Sequence, residues 1–124
     1  TMKNQAYRMA MLYDFYGDLL TDRQKEFYDL YYNEDLSLSE IAENYGISRQ
    51  GVRDVIVRAE AAMDEIEEKT HLIRRFHQSQ KELLAIDQAA DRLLEAVRAG
   101  SCTASTLEEI ALSIKKHTAK LEQE

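Results

Sequence analysis

The stretch from Leu38 to Val57 (LSEIAENYGISRQGVRDVIV) constrains the fold more than the rest of the chain. It reads as helix, tight turn, helix. Ala42 is small where two helices must touch. Gly46 falls where the turn needs a positive φ, which glycine adopts at little cost. A unit of this kind presents its second helix to the major groove of DNA. The expectation is therefore a nucleic-acid reader rather than an enzyme.

The remaining chain is readable as helices and stops. There is no proline and there are only four glycines in 124 residues, so little interrupts a helix. A first helix is expected from about Gln5 to Leu20, with Leu12, Phe15, Tyr16 and Leu19 on one apolar face. Gly17 weakens it by about 1 kcal/mol relative to alanine and reads as a close approach by another helix. Thr21-Asp22-Arg23-Gln24 has the form of a capping box, a hydroxyl followed three residues on by an amide side chain. The second helix then runs from Asp22 to about Asn33, burying Phe27, Leu30 and Tyr31. Ser37-Leu38-Ser39-Glu40 is a second capping box, Gly46 closes the third helix in the left-handed region, and Ser48 caps the fourth.

No stop signal follows Ser48 for a long way. Val52, Val55, Ala59, Ala62, Ile66, Ile73 and Phe76 keep an approximate three-then-four spacing, so the fourth helix is expected to be long. It packs on its own domain or offers a seam to a partner chain. The polar run His77-Gln78-Ser79-Gln80 reads as a gap. This gives two expected regions: 1–78, the helix-turn-helix domain with its long fourth helix, and 79–124, a helical hairpin. In the hairpin, Leu83, Leu84, Ile86, Ala90, Leu93, Leu94 and Val97 lead to Gly100, and Leu107, Ile110, Ala111, Ile114 and Leu121 form the last helix. Neither hairpin helix can bury its stripe alone, so both pack on the first region or on a second subunit. The fold class is all-α.

Within the central unit, Leu38, Ile41 and Ala42 face inward, and Ile47, Val52 and Val55 complete the core. The motif core is thus Ala42, Gly46 and Val52. The expected DNA-binding residues are Ser48, Arg49, Gln50, Arg53, Asp54 and Val57. Arginine donates a fork to guanine and glutamine pairs with both edge atoms of adenine. The Ser48 hydroxyl and the first amides of the helix suit a phosphate. Asp54 is awkward, because a carboxylate repels phosphates unless it accepts from cytosine or pairs with a cation. Arg58, four residues on, is its expected partner.

Charge bears on this reading. The net charge is −7, from 16 basic and 23 acidic side chains. Residues 1–36 sum to −3, residues 37–58 to 0 and residues 59–124 to −4. Duplex binding draws most of its non-specific affinity from lysine and arginine meeting phosphates. The reading unit is the least acidic part of the chain without being a basic patch, so binding by one copy is expected to be weak. Two copies would compensate, with half-sites about 34 Å apart.

Asp35-Leu36-Ser37-Leu38-Ser39-Glu40-Ile41-Ala42 followed by Gly46-Ile47-Ser48-Arg49-Gln50-Gly51-Val52 resembles region 4 of bacterial sigma factors. The chain is more closely similar to the YlxM family of small bacterial helix-turn-helix proteins. Tyr13-Asp14-Phe15-Tyr16, Leu19-Leu20-Thr21-Asp22-Arg23-Gln24 and Leu30-Tyr31-Tyr32 resemble that family's opening. The resemblance spans roughly Tyr7 to Phe76 and does not obviously extend beyond Gln78. It implies a sigma-region-4-like helical fold. It also implies a regulatory role in the signal recognition particle pathway, an association drawn from gene neighbourhood.

Other chemistry is not written in the chain. His71, His77 and His117 stand apart, and Cys102 has no cysteine at metal spacing, so no metal site and no cofactor are expected. Asp64-Glu65-Ile66-Glu67-Glu68 reads as a solvated helix face. There is no glycine-rich phosphate loop and no nucleophile elbow. Tyr13, Tyr16, Tyr28, Tyr31 and Tyr32 recur at helical spacing and read as packing residues with wet hydroxyls, rather than a stacking platform for single-stranded RNA. No apolar run reaches the roughly 20 residues that span a bilayer. No basic-then-apolar leader precedes Met2, which reads as the start, and one cysteine suits a reducing compartment, so a cytoplasmic location without membrane contact is expected. The sequence predicts a non-enzymatic DNA-binding regulator acting as a homodimer. The alternative is an adaptor for protein or ribonucleoprotein that does not bind duplex DNA.

Overall fold

The computed structural model describes residues 6–123, and all regular structure among them is helical. The elements are α1 (Ala6–Tyr16), one 3-10 turn (Gly17–Leu19), α2 (Asp22–Tyr32), α3 (Leu38–Tyr45), α4 (Arg49–Thr70), α5 (Leu72–Arg98) and α6 (Ala104–Glu122). The chain divides into two compact units, residues 1–73 and 74–124. The all-α expectation holds, with a long helix after the turn and two helices following it.

Local chemistry sets the helix starts. At α2 the Gln24 amide donates to Thr21 Oγ1 at 3.2 Å, and the Thr21 amide donates to Gln24 Oε1 at 3.0 Å. At α3 the Glu40 amide donates to Ser37 Oγ at 3.0 Å, and the Ser37 amide to Glu40 Oε1 at 3.1 Å. Each reciprocal pair satisfies two backbone donors that the helix cannot satisfy itself. Gly46 ends α3 at φ 64°, ψ 34°. A Cβ there would meet nothing within 4 Å, so the backbone angle, not space, requires the glycine.

In the first unit, α4 is the common support for α1, α2 and α3. Its buried stripe is Val52, Ile56, Ala59 and Met63, all with no accessible surface. Val52 and Ile56 close a core with Phe27, Tyr31, Leu38, Ile41 and Ala42. Ala59 and Met63 close a second core with Met9, Leu12, Tyr16 and Tyr28. The expected stripe was displaced. Val55, Ala62 and Ile66 are half-buried, while Ile56 and Met63 lie at its centre. A long amphipathic helix offers several overlapping three-then-four spacings, and the neighbours select one.

Other expectations are corrected. The first helix tightens into a 3-10 turn at Gly17, and that change of pitch turns Leu19 out, where it is 69% exposed. Phe15 also sits at the surface, and the expected start at Gln5 lies outside the described residues. Gly17 makes room for a ring of its own helix, not for another helix. A Cβ there would sit 3.1 Å from the Tyr13 ring, which stacks on Tyr28 with centroids 5.0 Å apart. The fourth helix does not run on to Phe76. It stops at Thr70, His71 takes the left-handed conformation at φ 56°, and α5 begins at Leu72. The His77–Gln80 run is helical, inside α5. Its residues are polar, but none lacks an amide hydrogen or a Cβ, so polarity alone does not break the helix.

In the second unit Gly100 ends α5 with φ 68°, and Thr103 caps α6, its Oγ1 accepting from the Thr106 amide at 3.1 Å. Ala89 of α5 and Ile110 of α6 are buried. Glu82 of α5 and His117 of α6 form a hydrogen-bonded pair, and the Lys120 ammonium lies 3.8 Å from the same carboxylate. These pairings make α5 and α6 antiparallel.

Met63 ties α1 and α2 to the far half of α4 and is fully buried. Met63→Ala is expected to lower unfolding stability by about 2–5 kcal/mol in a denaturant titration, the cost of a cavity left by a large aliphatic side chain.

Candidate nucleic-acid interface

The start of α4 is built by three local features. The Ser48 hydroxyl caps it, accepting from the Gly51 amide at 2.9 Å. Gly51 leaves space for that cap, since a Cβ there would stand 3.1 Å from Ser48 Oγ. The buried stripe begins at Val52, so the opposite side of the first two turns is left open. Ser48, Arg49, Gln50, Arg53 and Asp54 are all exposed, and Val57 is half-buried beside them. Ala42 and Val52 are buried behind this face, with Gly46 in the turn. The structure places Arg49, Gln50, Arg53 and Asp54 exposed on the first two turns of α4, with Ser48 at its N-cap and Val57 half-buried a turn further on.

Asp54 is not paired as expected. Its Oδ1 accepts from Gln50 Nε2 at 2.9 Å, on the turn before it, and Arg58 is not its partner. This changes what both side chains can do. One amide hydrogen of Gln50 is held by Asp54, while the exposed side chain keeps a second amide hydrogen and a carbonyl oxygen. Those are the donor and acceptor that an adenine edge requires. Arg49, Arg53 and Arg58 form no ion pair among the described residues.

The tyrosines act behind this face. Tyr28 is buried, and its hydroxyl donates to the Met9 carbonyl at 2.6 Å. Tyr32 donates to Glu60 Oε1 of α4 at 2.5 Å. Tyr45 donates to Glu26, and its ring meets Phe27 edge-on at 4.9 Å. Burial pushes the Tyr28 and Tyr32 hydroxyls well above their ordinary pKa. Tyr28 stacks with Tyr13 and tilts onto Tyr32, so these rings are spent on one another, as packing residues are.

The acidic run on α4 is not uniformly solvated. Asp64 pairs with Arg8, and Glu65 with Lys69 at 3.0 Å. Glu67 has a structural part. Its Oε1 accepts from the Tyr16 hydroxyl at 2.5 Å and from the Ile73 amide at 3.0 Å. It therefore bridges α1 to the first turn of α5. Sequence spacing gave no sign of this, because Tyr16 and Glu67 are 51 residues apart.

With the geometry in place, comparison with known proteins is informative. Residues 3–98 match the family described as "Putative helix-turn-helix protein, YlxM / p13 like". The chain belongs to this family. The UPF0122 protein of Desulforamulus reducens is 46% identical over 85 residues, 68% of this chain and 73% of that protein. The UPF0122 protein of Acetivibrio thermocellus is 52% identical over 83 residues, 67% of this chain and 71% of its own length. One from Thermoanaerobacter sp. strain X514 is 42% identical over 108 residues, 87% of this chain and 92% of its own. The family match extends past Phe76, where the resemblance read from sequence ended, and takes in all of α5. The family description names a helix-turn-helix and no catalytic activity. Among the described residues no helix is long and apolar enough to cross a membrane.

Glu60 supplies a test of these electrostatics. Burial raises its pKa, Tyr32 and Arg53 pull it down, and Asp64 adds to the rise. A carboxyl with a raised folded pKa favours folding while protonated, and that contribution fades as pH climbs from its ordinary value through the folded one. Glu60→Gln is neutral throughout and can still accept from Tyr32. Its stability relative to the parent is expected to increase from about pH 4 to about pH 7, read by urea unfolding at each pH.

Proposed function

We propose that this protein is a non-enzymatic, cytoplasmic regulator that reads duplex DNA with the N-terminal turns of α4, in two copies. The observation that carries this is the open face of α4, on which Arg49, Gln50 and Arg53 stand exposed beside a capped helix start. Arg49 and Arg53 serve guanine edges or phosphates, Gln50 an adenine edge, and Ser48 with the first amides of α4 a phosphate. Val57 offers its half-buried methyls to a thymine methyl at the rim. Asp54 is a positioning residue. It fixes the Gln50 amide and, as a carboxylate in the groove, penalises sequences that give it nothing to accept from. The resemblance of residues 35–52 to sigma region 4 supports the docking, and a place in the signal recognition particle pathway rests only on the resemblance to the YlxM family and its gene neighbourhood.

The acidic body limits the affinity of one copy, which is the reason for two. Arg53→Ala is expected to lower affinity for a selected site by about 1–3 kcal/mol, the range for a base-directed arginine fork. A gel-shift titration in which mutant and parent bind every sequence equally removes the reading. Asp54→Ala is expected to do the opposite on random DNA. It raises non-specific affinity by removing a repelling charge, and narrows the gap between selected and random sites.

The −7 charge and the apolar side chains of the second unit favour one other reading, an adaptor that docks protein or a ribonucleoprotein without touching duplex DNA. A salt series separates the two. Phosphate contacts make affinity fall steeply as salt rises, whereas an apolar protein interface barely responds.

A further inference from the structure

The second unit is a pair of helices with too little core to use its apolar side chains. Beyond Ala89 and Ile110, Phe76, Leu83, Leu94 and Val97 of α5 are 42 to 58% exposed, and Leu107 of α6 is 40% exposed. Leu84 and Leu112, 58 and 60% exposed, lie on other sides of the two helices, but the rest share a face. Taking Ala89 as the line where α5 meets α6, Phe76, Leu83, Ala90, Leu94 and Val97 fall on a stripe about 100° further round α5. Taking Ile110 as the matching line on α6, Leu107, Ala111 and Ile114 lie about 40–100° round in the same sense. The helices are antiparallel, so equal rotation carries both stripes to the same side of the hairpin. One face of this unit is apolar along its length.

The charges at its two ends differ. The open end, the first half of α5 with the second half of α6, carries Arg74, Arg75, Lys81, Lys115, Lys116 and Lys120 against Glu82 and Glu122, net +4. The turn end carries Asp87, Asp91, Glu95, Glu108 and Glu109 against Arg92 and Arg98, net −3. The hairpin is therefore a charge dipole lying beneath an apolar face.

We infer that this face is covered by the same face of a second copy, turned end for end, so that α5 packs antiparallel on α5 and α6 on α6 in a four-helix bundle. The inference rests on the two-copy reading above and names its interface. The opposite alignment would set +4 against +4. The end-for-end one sets each positive end on a negative end, and helix dipoles also favour antiparallel neighbours. The register follows from side-chain size. Centring the contact between Ile86 and Asp87 places Phe76 opposite the partner's Val97, and Leu83 opposite the partner's Ala90. Each large residue then meets a smaller one, as interdigitating helices need. The half-exposed side chains offer roughly 500 Å² per copy, and a pair buries on the order of 1,000 Å², the size a specific interface must reach.

The test uses the full chain with Cys102→Ser, so that introduced cysteines are the only thiols. Sedimentation equilibrium is expected to show a dimer at micromolar concentration, and Leu83→Asp to raise its Kd at least tenfold with helical circular dichroism retained. Leu83→Cys and Ala90→Cys together are expected to oxidise to a covalent dimer, because each thiol faces its counterpart on the partner. Either cysteine alone is expected to cross-link poorly, since like positions lie about seven residues, roughly 10 Å, apart. Efficient cross-linking by the single variants would overturn the end-for-end geometry. A dimer unaffected by Leu83→Asp and not cross-linked by the double variant would overturn the interface while sparing the two-copy reading. A monomer at every concentration would overturn both. DNA binding measured on the same samples is a separate readout, so loss of the dimer is not confused with loss of the reading helix.

Discussion

One helix must satisfy two cores at once, and the rest of the first unit follows from that. The stripe Val52, Ile56, Ala59 and Met63 is buried on its upper half by α2 and α3, and on its lower half by α1 and α2. Because all support arrives on one side, the other side of α4 has no packing role. Its side chains are then free to be chosen for binding. The same stripe fixes how far α4 can rotate, since turning it by one residue would expose Ile56 and Met63 together. Burial of such side chains contributes about 1.5–3 kcal/mol each, so the exposed side of α4 is held in place by the core behind it.

Tyrosine hydroxyls and carboxylates tie this support together where apolar contact alone would leave polar atoms stranded. Tyr28 finds a backbone carbonyl, Tyr32 finds Glu60, and Tyr16 finds Glu67 and Thr70. The Glu67 contact is placed at the one sharp break between α4 and α5. His71 adopts a left-handed backbone there, a conformation that costs a non-glycine residue about 1 kcal/mol. Thr70 and Glu67 receive the Leu72 and Ile73 amides that open the next helix. The break is thus stabilised by side chains drawn from α1 and α4, not by a glycine or proline.

Electrostatics divide the labour between the units. The reading segment is neutral within an acidic chain, and Asp54 sits among its arginines. On the proposed reading such a surface discriminates more than it attracts, and a second copy would add the missing affinity. In the proposed pair the hairpin of α5 and α6 would supply an apolar face for affinity and a charge dipole for alignment.

The sequence by itself determined the helices, their caps and the turn. Capping boxes at Thr21 and Ser37, the cap at Ser48 and the left-handed glycines at Gly46 and Gly100 act over three or four residues, so their partners are visible in the chain. Spacing offered Asp54 two partners, Gln50 and Arg58, each four residues away on the same helix, and did not choose between them. Tertiary structure alone decided which of several apolar stripes α4 buries, and that the chain breaks at His71 and not at the polar run after Phe76. Each of these depends on what lies across space. A stripe is selected by the helices that pack on it, and the break at His71 is accompanied by a bond between residues 51 apart in the chain.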